Sequence, residues 1–338
     1  MGEKDSRRAL VSVVVPCFNE EAVIQATFQQ LVTVLGAIPD TEFEFVFVDD
    51  GSRDRTPAIL RSLQAADPRV RAVLFSRNFG HQIAVTAGVE HTTGDAVVLI
   101  DADLQDPPEV IGEMITLWRM GVDVAYGTRA GRDGESALKL WTAKKFYRFI
   151  NKISDTVIPL DTGDFRLMDR RVVDAFLSMP ERDRFVRGMV SWLGFSQAAV
   201  PYRRAARTAG VTKFSIFKMM RFATDGIVSF SILPLRLATW VGFAASGIAI
   251  LGILITVIDR LMGVEGLVKG WASILVAVLF IGGVQLICMG IIGEYIGRIY
   301  GEAKRRPLYV VRERMGFEAR NAAAETGARP KTVVLGKR

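Results

Sequence analysis

The sequence predicts an α/β domain with a mostly parallel sheet, followed by interfacial helices and a two-helix transmembrane hairpin. Three observations predict this fold class. Short, continuous apolar runs alternate with helical patterns between about residues 10 and 126, acidic residues follow two of these runs, and two long uncharged stretches lie late in the chain. Apolar runs this continuous suit strands covered on both faces, as in a parallel sheet between layers of helices.

Five strands alternate with four helices in the predicted domain. No Gly-x-Gly-x-x-Gly motif follows the first strand, where Pro16 is followed by Cys17, so a dinucleotide-binding Rossmann domain is disfavoured. The second cysteine, Cys288, falls in an apolar stretch far from Cys17, so no disulfide is expected. The predicted strands are 11–16, 43–49, 70–76, 96–101 and 122–126, and the predicted helices cover about 20–36, 54–66, 80–91 and 108–120.

The late apolar stretches predict a membrane anchor. Residues 237–258 and 270–293 carry no charged side chain, and each is longer than the ~20 residues that cross ~30 Å of hydrocarbon as a helix. One such run also fits a buried core helix, whereas two in tandem favour a transmembrane hairpin. Basic residues are concentrated before and after the hairpin. The positive-inside rule therefore predicts that both termini and the α/β domain are cytoplasmic.

The net charge of +7 is interpreted as a membrane-facing basic collar, because no nucleic-acid-binding motif is recognised. Apolar residues at helical spacing before the hairpin predict an amphipathic helix in the membrane interface. The last residues are rich in alanine and small polar residues, which indicates disorder. The predicted organisation is a tail at 1–9, the α/β domain at 10–210, the interfacial helix at 211–233, the hairpin at 234–300, a cytoplasmic juxtamembrane segment at 301–317 and a disordered tail at 318–338.

Two carboxylates follow the fourth predicted strand. Asp101 and Asp103 are one residue apart, so they share one face of an extended chain. Together they offer hard oxygen ligands for Mg²⁺ or Mn²⁺, and such an ion can also hold the phosphates of a substrate. A lone Asp-x-Asp more often marks a solvated turn. An EF-hand loop fits poorly, because its required glycine would fall on Asp106.

Polar residues also follow the first and second predicted strands. Asn19 and Glu20 come after the first, and Asp49 and Asp50 end the second. Ligands of open α/β sheets bind beyond the carboxyl ends of the strands. We therefore expect these residues to face the same crevice as Asp101.

The motifs at these strand ends resemble those of family 2 glycosyltransferases with the GT-A fold. The segments are 15–21, 48–52 (Val-Asp-Asp-Gly-Ser), 76–80 and 101–109. Later segments, 127–129 (Gly-Thr-Arg), 162–168 (Thr-Gly-Asp-Phe-Arg-Leu-Met) and 292–298, resemble polyprenyl-phosphate glycosyltransferases of the bacterial GtrB-like group, relatives of dolichol-phosphate mannose synthase. The resemblance covers about residues 10–317.

The resemblance implies an inverting transfer of one sugar from a nucleotide sugar to polyprenyl phosphate, such as undecaprenyl phosphate, at the cytoplasmic leaflet. Glucose from UDP-glucose is the expected donor, with GDP-mannose as the alternative. A homo-oligomer, by resemblance a tetramer, is also expected. A processive polysaccharide synthase is disfavoured, because only two spans follow and no Gln-x-x-Arg-Trp motif occurs. The alternative from another class is a sugar-lipid transporter subunit with a nucleotide-sensing domain, but the spans contain no charged relay.

The resemblance also implies roles for individual residues. A divalent metal would stabilise the leaving nucleoside diphosphate, while the anomeric carbon gains cationic character. Asp103 would act at the catalytic centre as a metal ligand. The implied nucleotide-sugar site comprises Pro16, Asn19, Glu20, Asp50, Asp101 and Ala102, and the implied metal ligands are Asp101, Asp103 and Gln105.

The acceptor phosphate arrives largely ionised, because the second pKa of a phosphate monoester is about 6. It needs positioning more than deprotonation. Arg129, Arg166 and Lys213 are candidates to bind it, and arginine can do so with a bidentate fork. Family analogy places Asp164 at the catalytic centre with Arg129, either as a base or as an aid to positioning.

Overall fold

The computed structural model describes residues 8–129, 162–203, 233–262, 271–317 and 333–334. The chain divides into two compact units. One unit contains a sheet with its covering helices and includes the segment after residue 305. The other contains two long apolar helices.

The first unit is built on one sheet, which has nine strands in the described residues. Strands β1 to β4 are neighbours and parallel, in the order β4-β1-β2-β3. Strand β6 pairs antiparallel with β4 and β5, and β8 pairs antiparallel with β3. The predicted mostly parallel sheet is therefore confirmed. The strands are β1 (Ala9–Cys17), β2 (Thr41–Asp49), β3 (Val70–Phe75), β4 (Ala96–Leu99), β5 (Val124–Arg129), β6 (Thr162–Asp169), β7 (Gln197–Tyr202), β8 (Val310–Met315) and β9 (Val333–Val334).

Helices cover both faces of this sheet. Along β2, Phe45 and Phe47 are buried against α1, α2 and α4, whereas Val46 and Val48 are buried on the opposite face, which α3 covers. This burial on both faces explains the continuous apolar runs in the sequence. The helices are α1 (Ile24–Leu35), α2 (Thr56–Ala66), α3 (His81–Glu90), α4 (Val110–Arg119), α5 (Arg170–Ser178) and α6 (Val186–Trp192).

The fourth strand is shorter than predicted. The sequence analysis extends it to residue 101, but β4 ends at Leu99. The chain then turns, and Leu104 adopts a positive φ of 57°. Asp101 and Asp103 therefore lie in a loop beyond the strand and not on the extended chain itself.

Strand β8 is not predicted by the sequence analysis, which assigns residues 301–317 to a juxtamembrane segment. It pairs with β3, and the register shifts between Leu74 and Phe75, which leaves Arg312 as the extra residue of a β-bulge. The preceding Tyr309 stacks on Phe75 at 4.8 Å between ring centroids. The sequence signal is weak because charged residues dominate the strand and, within it, Val311 alone is completely buried.

In its described residues, the second unit contains α7 (Leu233–Leu261) and α8 (Trp271–Ala303). Two spans, 235–252 and 280–303, are long and apolar enough to cross a membrane. Large side chains on these helices are exposed, with Trp240 70% and Phe280 63% accessible, which is the surface expected of a protein that contacts lipid. The helix α8 continues ten residues past the predicted span, where Glu294 and Arg298 form an ion pair at 3.4 Å.

Parts of the predicted organisation lie outside the described residues. These are the N-terminal tail up to residue 7, the interfacial helix at 211–233 except its last residue, and all of the final tail except the two residues of β9. Both cysteines, Cys17 and Cys288, are free thiols.

Replacing Tyr309 with alanine should destabilise the sheet unit. The variant loses the ring that stacks on Phe75 and the hydrogen bond from its hydroxyl to Glu90 Oε2 at 2.6 Å, so the free energy of unfolding should fall by about 3–5 kcal/mol. Tyr309→Phe keeps the ring and should lose about 1–2 kcal/mol. Denaturant unfolding of the full chain in detergent measures both, and wild-type stability of Tyr309→Ala would contradict this packing.

Candidate active site

The loops after β1 and β2 are hydrogen-bonded to each other. The backbone N–H of Asn19 donates to Ser52 Oγ at 2.8 Å, and Asn19 Oδ1 accepts the N–H of Arg53 at 2.9 Å. The N–H of Glu20 donates to Thr56 Oγ1 at 2.9 Å. These bonds fix the two loops together at the carboxyl ends of the strands, as expected for one wall of a crevice.

Asp50 connects the ends of β2 and β3. Its carboxylate accepts the N–H of Phe79 at 2.6 Å and the N–H of Gly80 at 3.0 Å, and its side chain is almost completely buried. Burial raises the pKa of Asp50, while the two backbone hydrogen bonds oppose that rise. The carboxylate therefore organises this loop, and its contact with a nucleotide stays a prediction.

The preceding residue, Asp49, is completely buried. Its Oδ1 accepts the N–H of Ser52 at 3.1 Å, whereas its Oδ2 has no hydrogen-bond partner and lies 3.9 Å from Arg312 Nη2. Burial raises the pKa of Asp49. Arg312 is the bulge residue of β8, and bulges often direct a side chain towards a site. The sequence analysis did not anticipate this contribution from the C-terminal segment.

The acidic loop after β4 concentrates negative charge. Burial and the neighbouring carboxylates of Asp164, Asp106 and Asp103 raise the pKa of Asp101 to about 6, although His81 opposes them. The loop is also held by helix α1, because Thr27 Oγ1 donates to the carbonyl of Ala102 at 2.7 Å.

Within this loop, the N–H of Gln105 donates to Asp103 Oδ1 at 3.2 Å, and Asp106 accepts a hydrogen bond from the hydroxyl of Tyr202. In the described part of the chain, no three ligand-type side chains are already arranged around a metal position. The atoms of this loop that could bind a metal are nevertheless oxygens, and they lie where neighbouring carboxylates repel one another. That donor set fits a hard divalent cation.

Asp164 on β6 is the centre of a second network. Its Oδ2 lies 3.1 Å from His81 Nε2 and accepts a hydrogen bond from Gln82 Nε2 at 2.8 Å, and its Oδ1 accepts one from Arg187 Nε at 3.3 Å. Burial alone would raise the pKa of Asp164, but the hydrogen bond from His81 and the positive charges of Arg187, His81 and Arg166 outweigh it and hold the pKa well below its usual range. Asp164 is therefore ionised at neutral pH.

His81 lies between the two acidic groups. Its Nε2 is 3.1 Å from Asp164 Oδ2 and 3.8 Å from Asp101 Oδ1. Burial alone would lower the pKa of His81, but the hydrogen bond to Asp164 and both carboxylate charges raise it to about 9. The imidazole is thus cationic at neutral pH and links the acidic loop to Asp164.

The three predicted phosphate-binding cations differ in their surroundings. Arg166 is 3% exposed, and its Nε and Nη2 donate to the carbonyls of Asp164 at 3.3 Å and Gly163 at 3.1 Å. Burial lowers the pKa of Arg166 to about 10. Arg129 has a buried Nε without a hydrogen-bond partner. Lys213 lies outside the described residues.

Three residues of this region were missed by the sequence analysis: Gln82, Arg187 and Arg312. Gln82 follows His81 at the start of a predicted helix, where a glutamine carries no distinctive signal. Arg187 belongs to α6 and Arg312 to the unpredicted strand β8. Of the predicted site residues, Asp103 and Asp164 are both brought within electrostatic range of Asp101.

Comparisons with known proteins agree with this architecture. The model of "Glycosyl transferase family 2" matches residues 12–177, and that of "GtrB C-terminal hairpin" matches residues 233–299. An uncharacterized glycosyltransferase of Bacillus subtilis (strain 168), YkcC, is 49% identical over 313 residues, which are 93% of this chain and 96% of that protein. The bactoprenol glucosyl transferase of Shigella phage SfX is 45% identical over 304 residues, 90% of this chain and 99% of that protein.

Among solved structures, glucosyl-3-phosphoglycerate synthase from Mycobacterium tuberculosis, in complex with Mn²⁺, UDP and phosphoglyceric acid, is similar with a TM-score of 0.45. It is 20% identical, and the match covers 65% of this chain and 76% of that one.

Replacing Gly51 with alanine should disrupt the turn after β2. Gly51 has a φ of +70°, and a Cβ there would lie 2.4 Å from the backbone carbon of Arg77. Gly194 is a matched control, because its φ is +74° and a Cβ would meet nothing within 4 Å. Both variants should pay about 1–2 kcal/mol for the left-handed conformation, and Gly51→Ala about 1–3 kcal/mol more for the clash. Denaturant unfolding measures the difference, and equal losses would contradict the close approach.

Proposed function

The chain belongs to glycosyl transferase family 2, and on that premise we propose that it transfers one glucose, with inversion, from UDP-glucose to polyprenyl phosphate. The observation that carries the proposal is the 45% identity to the bactoprenol glucosyl transferase of Shigella phage SfX over 90% of the chain. A homologue of that enzyme in Escherichia coli (strain K12) is 43% identical over 89% of the chain. These relatives support glucose and a bactoprenol lipid as the substrates.

Family membership confirms the predicted fold class, a GT-A domain followed by a helical hairpin. Two candidate spans and the match to the GtrB C-terminal hairpin indicate membrane association. A membrane anchor keeps the enzyme at the surface where a lipid acceptor resides. We place the catalytic unit and both termini on the cytoplasmic side of the inner membrane, because basic residues flank the hairpin. A homo-oligomer is also part of the proposal and is tested by light scattering in detergent.

The acidic loop is assigned to the donor diphosphate. Asp101, Asp103 and Gln105 would hold Mg²⁺ or Mn²⁺, which neutralises the charge that develops on the leaving nucleoside diphosphate. Pro16, Asn19, Glu20, Asp50 and Ala102 would line the nucleotide-sugar pocket. The proposal is supported by the hydrogen bond that fixes Asn19 to Ser52, and by the burial and neighbouring carboxylates that raise the pKa of Asp101 to about 6.

Arg129 is assigned to the acceptor phosphate. Its Nε is buried without a hydrogen-bond partner, and its Nη2 lies over Gly163, 3.5 Å from the position of a Cβ there. A phosphate oxygen would satisfy the unpaired N–H with a charge-assisted bond. Lys213 could add a second cation. Arg166 is a weaker candidate, because two of its nitrogens already support the β6 backbone.

Asp164 is assigned a positioning role at the catalytic centre. A base must bind a proton during the reaction, but the partners of Asp164 hold its pKa well below the usual range. The acceptor phosphate also carries its own negative charge, since its second pKa is about 6. We therefore infer that Asp164 stays ionised and orients His81 and Arg187.

Purified enzyme with Mg²⁺ or Mn²⁺ should convert UDP-glucose and undecaprenyl phosphate to the glucosyl lipid, identified by mass spectrometry. Asp103→Ala should lower kcat by roughly 100-fold or more, because the metal supplies several kcal/mol of charge stabilisation. Asp174→Ala is the control, since Asp174 is exposed and pairs only weakly with Arg170 at 4.0 Å. Full activity of Asp103→Ala would refute the metal assignment, and transfer from GDP-mannose instead would refute the donor.

Arg129→Lys should weaken binding of the acceptor. Lysine keeps the charge but loses the fork that binds a phosphate with two parallel bonds, so KM for the lipid phosphate should rise about tenfold. KM for UDP-glucose should stay unchanged. Steady-state kinetics with each substrate varied separately make the measurement, and Arg314→Lys on β8 is the exposed control. An increase confined to the donor KM would assign Arg129 to the diphosphate instead.

A further inference from the structure

Gln82 connects two parts of the active site that are far apart in the sequence. Its Oε1 accepts the N–H of Val186 at 2.8 Å, and its Nε2 donates to Asp164 Oδ2 at 2.8 Å. Val186 is the first residue of α6. The N–H groups of a first helical turn have no acceptor within the helix, so Gln82 satisfies one of them.

This pairing fixes which way the amide of Gln82 points. The backbone of Val186 offers a donor in this contact, so the oxygen of the amide must face α6. The NH₂ group is then necessarily directed at Asp164. A flipped amide would place two donors against each other at α6 and two acceptors against each other at Asp164. The orientation of the donor therefore does not depend on Asp164 itself.

We propose that Gln82 is a positioning residue of the transfer reaction, which holds the Asp164 carboxylate in a fixed orientation between His81 and Arg187. The inference rests on the proposed function, in which Asp164 belongs to the catalytic centre. His81 and Arg187 also hold Asp164, through longer charge-assisted hydrogen bonds. The neutral amide adds a short directional bond at 2.8 Å, compared with 3.1 Å for His81 and 3.3 Å for Arg187.

The competing explanation is that Gln82 only caps α6. Gln82→Glu separates the two explanations, because a carboxylate accepts the N–H of Val186 as well as an amide does and is favoured at a helix N-terminus. The same carboxylate would face Asp164, however, and two carboxylates that share a site repel each other. A cap role thus predicts normal activity for Gln82→Glu, and a positioning role predicts a loss.

The test compares wild type and Gln82→Glu in the same glucosyl-transfer assay, with the full chain in detergent. At about pH 8, kcat of the variant should fall roughly tenfold or more, while KM for UDP-glucose should change less than about twofold. Towards about pH 6 the introduced carboxyl group takes up a proton and can donate to Asp164, so the activity relative to wild type should recover. Dividing the activity of the variant by that of wild type removes the effect of other groups near Asp164 that titrate in both proteins. These groups are His81 on α3, Arg187 on α6, Arg166 on β6 and Asp101 in the acidic loop.

Wild-type kcat and pH profile in Gln82→Glu would overturn the inference and leave Gln82 as a helix cap. If Gln82→Glu fails to fold, Gln82→Met decides, because methionine matches the shape of glutamine but donates no hydrogen bond. Methionine also leaves the N–H of Val186 without its acceptor, so some loss of melting temperature is expected. A reduced kcat of Gln82→Met, measured well below its melting temperature, supports the inference, and wild-type kcat overturns it. Absence of transfer by the wild-type enzyme would instead refute the proposed function, so the two failures are distinguishable.

Discussion

The whole site depends on the crowding of carboxylates at one end of a parallel sheet. Because parallel strands all end at the same edge, the acidic residues that follow β2 and β4 converge there and meet Asp164 from β6. Asp49 and Asp50 are nearly inaccessible to water, and so is Asp164. Such charges are tolerated only when they are paired or hydrogen-bonded. The surrounding chain is organised to supply that compensation.

The groups that stabilise the buried charge differ from one carboxylate to the next, and these differences determine the role of each carboxylate. Asp50 accepts hydrogen bonds from backbone N–H groups, so it acts as a structural support for the loops. Cations and an amide surround Asp164, which keeps it charged. Asp101 has His81 at 3.8 Å, beyond hydrogen-bond distance, and keeps a raised pKa of about 6. Binding of an added cation would therefore be favoured beside Asp101, whose negative charge is the least compensated of the three.

Local patterns were sufficient to predict the central strands, the hairpin and the acidic loops, because burial on both faces and strand-end motifs leave signals in consecutive residues. They were insufficient for Gln82 and Arg187. Gln82 meets Val186 across 104 positions of sequence and Asp164 across 82, and no periodicity encodes such contacts. Arg312 was missed because charged residues mask a strand that buries few side chains. The sequence thus indicates which residues carry the chemistry more readily than which residues hold them in place.

Strand β8 follows the two long apolar helices in the chain but belongs to the same compact unit as β1 to β7. The helical hairpin is therefore an insertion within the catalytic polypeptide and not an appendage to it. A single cut before the hairpin would leave β3 paired only with β2, uncover Phe75 and remove the guanidinium of Arg312 beside Asp49. A water-soluble fragment would have to retain residues 308–317, joined by a linker across the excised helices.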